Sequence, residues 1–143
     1  MLRVLQNMQY ISLVLYTSEF PYSLVYIINF AVFLDCNCQT VTLSLSGSAN
    51  AELSFLSGNY QESVMTNGHQ SWINADYAIW FDDVSNDWVV GPVDKRGTHT
   101  RWIEANNQGS KCPFDITVDW YLYYNSEWNL AAEASFACSQ HKA

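Results

Sequence analysis

The chain has 143 residues, of which 49% are hydrophobic, 15% aromatic and only 14% charged, and its net charge is −8. That is enough apolar chain for one cored domain and too apolar a composition for a disordered segment. The sign of the charge excludes a backbone-neutralising nucleic-acid binder: the densest basic group, Lys95, Arg96 and Arg101, is interspersed with Asp94 and Glu104, as in a solvated loop.

Residues 1–35 carry a single basic residue, Arg3, and two apolar runs, residues 11–16 and 22–34, separated by Thr17-Ser18-Glu19-Phe20-Pro21. The second run has the length of a signal-peptide core and is short for a membrane span. Glu19 and Pro21 precede it where positive charge is expected, and Phe33-Leu34-Asp35 offers no small-residue cleavage site. Residues 10–34 together reach the length of a signal anchor, with Glu19 and Pro21 inside it. The segment is read as an atypical leader, an anchor or a misassigned gene start, and a membrane is a partner only if residues 10–34 are a true anchor.

From Cys36 onward the pattern is alternation. Val41, Leu43 and Leu45 alternate with Thr42, Ser44 and Ser46, which predicts a half-buried strand ending at Gly47, and Leu53 and Phe55 continue period two. Residues 77–81 and 88–90 are β-rich runs flanking an Asp/Asn/Ser loop and should pair as a hairpin. Further strands are predicted at residues 101–104, 119–124 and 135–138, with a lone helical turn near residues 130–134. Turn signals recur at Gly58, Asn67-Gly68, Gly91-Pro92, Gly97, Gly109 and Cys112-Pro113. The expected fold is all-β, a small antiparallel sandwich or barrel, with residues 36–143 as a single module.

Four cysteines without the C-x-x-C spacing of a zinc ribbon read as two disulfides, and so as a secreted protein or one on the extracellular surface. A Cys36–Cys38 bond is disfavoured by its one-residue spacer. Because Cys38 immediately precedes the first strand and Cys138 ends the last, these two are expected to pair, leaving Cys36 for Cys112.

The succession Cys38, Leu45-Ser46-Gly47, Gly58-x-Tyr60, Asn67-Gly68, Trp72, residues 77–81, Trp88-Val89-Val90-Gly91, Cys112-Pro113, Trp120, Trp128 and Cys138 carries a resemblance. It resembles the cysteine-flanked β modules found, often in tandem, in secreted proteins and receptor ectodomains of marine invertebrates. The resemblance implies an extracellular module without known catalysis, and it transfers no binding residues. Cys36 and the N-terminal segment depart from that pattern.

Six Trp and nine Tyr exceed what a core of this size needs, and exposed rings stack on sugars or anchor protein partners. Trp88 and Trp120 lie in apolar strands and are assigned to the core. Trp72 has the polar neighbours Ser71 and Asn74, while Tyr121 and Tyr123 alternate with Trp120 and Leu122; these three are the candidate surface contacts, for a glycan or an extracellular protein. Asp82, Asp83 and Asp87, with Asn86, offer oxygen ligands, but a hairpin loop explains them, and no metal or cofactor is expected. The alternative function is a small secreted hydrolase using His99, Glu104 and a further carboxylate, although no nucleophile-elbow, zinc-protease or phosphate-loop motif occurs. His69, after Asn67-Gly68, reads as an exposed turn residue, and His141 as part of a tail.

Overall fold

The computed structural model describes residues 3–7, 10–15, 26–31, 36–46, 48–106, 110–131 and 134–143. The chain divides into two compact units, Met1–Leu34 and Asp35–Ala143. In the first, β1 (Arg3–Asn7), β2 (Tyr10–Leu15) and β3 (Tyr26–Ala31) form an antiparallel sheet, with Leu5 opposite Ser12 and Ser12 opposite Asn29. Glu19, Pro21 and Phe33-Leu34-Asp35, on which the leader reading turned, lie outside the described residues. No described helix is long and apolar enough to cross a membrane.

Among its described residues the second unit holds nine strands: β4 (Thr40–Leu45), β5 (Gly58–Glu62), β6 (Trp72–Ile73), β7 (Tyr77–Asp82), β8 (Asp87–Pro92), β9 (Ile103–Asn106), β10 (Tyr121–Tyr124), β11 (Glu127–Leu130) and β12 (Ala134–Gln140). They make one antiparallel sheet in the order β11-β10-β9-β8-β7-β6-β5-β4-β12, curled into a half-barrel. The all-β expectation holds. Consecutive strands are neighbours from β4 to β11, and only β12 crosses over, setting Phe136 opposite Leu43. Among the described residues β11 and β12 are the terminal strands of this sheet.

Alternation sorts the side chains. Ile79 and Phe81 of β7, Trp88 and Val90 of β8, Ile103 and Ala105 of β9, and Leu122 of β10 point inward to one core with Val41, Leu43, Tyr60, Trp72 and Phe136. Trp120 stacks on Phe136 with ring centroids 4.0 Å apart. On the outer face Ala78, Trp80 and Val89 form a second, smaller cluster. Trp80 is nevertheless fully buried, because the segment after β8 folds back over it and Thr98 O accepts from the indole N–H at 3.2 Å. Gly91 permits this closeness, since a Cβ there would lie 2.8 Å from Thr100 O and 2.9 Å from the Trp80 ring.

Both expected disulfides form, Cys36–Cys112 and Cys38–Cys138, the second joining the residues before β4 to the last strand. Two expectations need correction. Leu53 and Phe55 belong to 3-10 helical turns over Ser48–Leu56, kinked at Leu53, rather than to a strand; Leu53 and Leu56 are buried and Phe55 is exposed. Of the helical turn expected near residues 130–134, residues 132 and 133 lie outside the described set; Leu130 ends β11, Ala134 begins β12, and the Ala134 amide donates to Ala131 O at 2.9 Å. The strand expected from Arg101 begins at Ile103, and that expected from Asp119 begins at Tyr121. Gly47 and Gly109, read as turn positions, also fall outside the described residues.

The β10–β11 hairpin turns through Asn125 (φ 51°) and Ser126 (φ 66°), with Tyr124 opposite Glu127. Two successive left-handed residues fit the twist of a two-residue hairpin, but only Gly adopts that conformation without steric cost. Ser126→Gly is expected to raise stability by about 0.5–1 kcal/mol, because the relief at φ > 0 exceeds the added chain entropy. A lower melting temperature in calorimetry would contradict this account of the turn.

Candidate binding face

Outward positions of β9, β10 and β11 line up across the ladder. Glu104 stands opposite Tyr121, Tyr121 opposite Leu130, and Tyr123 opposite Trp128. Residues directly opposite across an antiparallel pair lie close enough for their side chains to touch. Tyr123 and Trp128 do so, with centroids 5.2 Å apart and planes inclined by 56°. Tyr121, Tyr123, Trp128 and Leu130 are 40%, 41%, 40% and 49% exposed, against complete burial of Leu122 between the two tyrosines. Four large side chains thus share one open face at the β11 edge of the sheet.

A charged cluster borders this face. Arg101 donates through Nε to Glu104 Oε2 at 2.6 Å and through Nη1 to Asp82 Oδ2 at 3.2 Å and His99 O at 3.1 Å, and its guanidinium lies 5.9 Å from the centre of the Trp128 ring. That distance is within reach of a cation–π attraction. Asp82, whose side chain is fully buried, also accepts from His99 Nδ1 at 2.9 Å, Val84 N and Ser85 Oγ. The outer-face segment over Trp80 is therefore pinned by Asp82 through His99 and Arg101.

Burial alone raises the Asp82 pKa, but the hydrogen bonds from His99, Val84 and Ser85 outweigh it and hold the carboxyl below its ordinary value of 3.8. A carboxylate depressed in the folded state stabilises the fold above its unfolded pKa, and that contribution is lost as pH falls through the folded value. His69, whose pKa burial lowers from 6.5, adds a separate loss over a higher window, since the unfolded chain takes up its proton first. Denaturation followed from pH 7 to pH 2 is expected to show both steps, and Asp82→Asn to remove the lower one while retaining the upper. An unchanged acid limb in Asp82→Asn would contradict the assignment.

The structure separates the candidate residues. Tyr121 and Tyr123 are outward, as their alternation indicated, but Trp72 is a correction: it is fully buried, packed 6.0 Å from Trp88, with its indole N–H donating to Cys38 O at 3.0 Å. Its polar neighbours do not mark a surface, because Ser71 is buried and donates to Val64 O, while Asn74 Oδ1 accepts from the Asp76 and Tyr77 amides. Trp128, Leu130 and Arg101 complete the face and were missed, since nothing local in the sequence pairs residue 128 with residue 123.

Asp82, Asp83 and Asp87 fall at a hairpin turn, where Asp82 is buried on the outer face beneath His99 and Arg101 and is satisfied by them and by the turn. Among the described residues no three His, Cys, Asp or Glu side chains gather to hold a metal ion. His99 and Glu104, the residues of the alternative hydrolase reading, are joined through Asp82 and Arg101: His99 bonds Asp82, Asp82 bonds Arg101, and Arg101 bonds Glu104. His69 does sit in a turn, between Asn67 (φ 50°), Gly68 (φ 76°) and its bridge to Thr66, but its ring packs 4.0 Å from that of Phe81 and is only partly exposed. His141 is tied back, with Nδ1 2.9 Å from Asn37 O.

Comparison of the chain with protein-family models, curated proteins and solved structures finds no match.

Proposed function

We propose that the second unit is an extracellular recognition module that binds glycan through the outer face of β10 and β11. One observation carries the reading: Tyr121, Tyr123 and Trp128 stand side by side, each about two-fifths exposed, next to the Arg101–Glu104 pair. The apolar C–H face of a sugar ring is attracted to the electron-rich face of an aromatic ring, while charged groups at the margin accept or donate to its hydroxyls. Leaving such rings in water has no benefit for folding, so their exposure argues for a partner.

Two disulfides favour an oxidising compartment, and thus a secreted protein or one displayed on the cell surface. The resemblance to secreted invertebrate β modules points the same way. A glycan array probed with the parent, Tyr123→Ala and Trp128→Ala tests the proposal. Each substitution is expected to reduce binding at least tenfold while shifting the melting temperature by only a few degrees, because truncating a half-exposed ring opens no closed cavity. A blank array for the folded parent would leave a protein partner as the better account.

A further inference from the structure

Resting on the glycan reading, we infer that the β10–β11 face takes a single neutral sugar chain free in solution, and that Glu104 sets this choice by neutralising Arg101.

Two features support it. The first is ring geometry. Tyr123 and Trp128 are inclined by 56°, so they do not lie flat on a common plane. The flat surface of a crystalline polysaccharide would meet one ring and miss the other, whereas a lone chain can twist between successive sugars and follow both.

The second feature is charge. Arg101, whose guanidinium lies 5.9 Å from the centre of the Trp128 ring, is bound by two carboxylates, Asp82 and Glu104, and Asp82 is also bonded to His99. The chain as a whole carries −8. A uronate or sulfated sugar arriving at Trp128 meets a guanidinium already matched by negative charge, and it would have to displace Glu104 from a 2.6 Å bond. A neutral sugar faces no such competition. The Glu104 carboxylate has lone pairs enough to hold Arg101 and accept from a sugar hydroxyl as well.

The test titrates three proteins, the parent, Trp128→Ala and Glu104→Gln, with two sets of soluble hexasaccharides. One set is neutral, built of glucose, galactose, mannose or N-acetylglucosamine; the other is built of glucuronate, galacturonate or mannuronate. Microcrystalline cellulose and chitin are added as pull-down matrices, and thermal melts check that each variant is folded.

The expected result is that at least one neutral chain binds tenfold or more tightly than its uronate counterpart, that neither solid retains the protein, and that Trp128→Ala loses tenfold or more. Glu104→Gln leaves Arg101 with one carboxylate fewer and should narrow the neutral-to-uronate ratio at least threefold without lowering the melting temperature by more than a few degrees. Uronate binding as tight as neutral binding, retention on a solid, or an unchanged ratio in Glu104→Gln would overturn this inference, and the glycan reading would survive if binding still depended on Trp128. No binding to any sugar, or binding indifferent to Trp128→Ala, would overturn both.

Discussion

Replacing Cys38 and Cys138 together by Ala is expected to lower stability by about 4–5 kcal/mol, a large share of the roughly 5–15 kcal/mol that domains typically have. The bridge spans 100 residues of sequence, nearly the whole second unit, so its removal frees the largest loop in the unfolded chain. In the folded state it ties the entry to β4 to the far end of β12, one of the two sheet edges. Cys38 also lies where the core is anchored, because its carbonyl accepts from both Trp72 Nε1 and Gln70 Nε2. Loss of the Cys36–Cys112 bridge, with a separation of 76, should cost nearly as much through chain entropy but leave that anchor in place. Urea denaturation measures both. A loss below about 1 kcal/mol at Cys38–Cys138 would mean that the curled sheet holds its own edge without the staple.

Trp72→Ala should cost about 3–5 kcal/mol, the range for removing a fully buried large aromatic. The ring touches Trp88 and Phe114, so the cavity would open between the sheet and the 3-10 turn Pro113–Asp115 that the Cys36–Cys112 bridge holds. Trp72→Phe restores most of the packing but removes one of the two donors to Cys38 O, and should cost about 1–3 kcal/mol. Trp128→Ala, by contrast, is expected to stay below about 1 kcal/mol, as for a surface side chain. If Trp72→Ala and Trp128→Ala were equally mild in denaturation, the division between core and contact face would fail.

That division was only half legible in the sequence. The β7–β8 hairpin could be read because Ile79, Phe81, Trp88 and Val90 alternate around an Asp/Asn loop, and the bridges could be read from where the cysteines stand relative to the strands. β5 escaped because Tyr60 is its only buried side chain, and β6 because it has two residues. β11 escaped because its turn uses Ser126 in a conformation that the usual signal assigns to Gly. Period two places Tyr121 and Tyr123 outward, whereas the polar neighbours of Trp72 serve the backbone and carry no signal of its exposure. The Arg101 cluster joins residues 82, 99, 101, 104 and 128, drawn together by sheet order and the segment over Trp80.

The most direct test of the binding face follows the six tryptophan indole N–H resonances of the folded protein by NMR while a neutral hexasaccharide that scores on the array is added. The account predicts that the Trp128 signal shifts and saturates together with the Arg101 Nε–H signal. The Trp72 and Trp80 signals, whose donors are already committed to Cys38 O and Thr98 O, should stay where they are. A saturating shift elsewhere with Trp128 unmoved would contradict it.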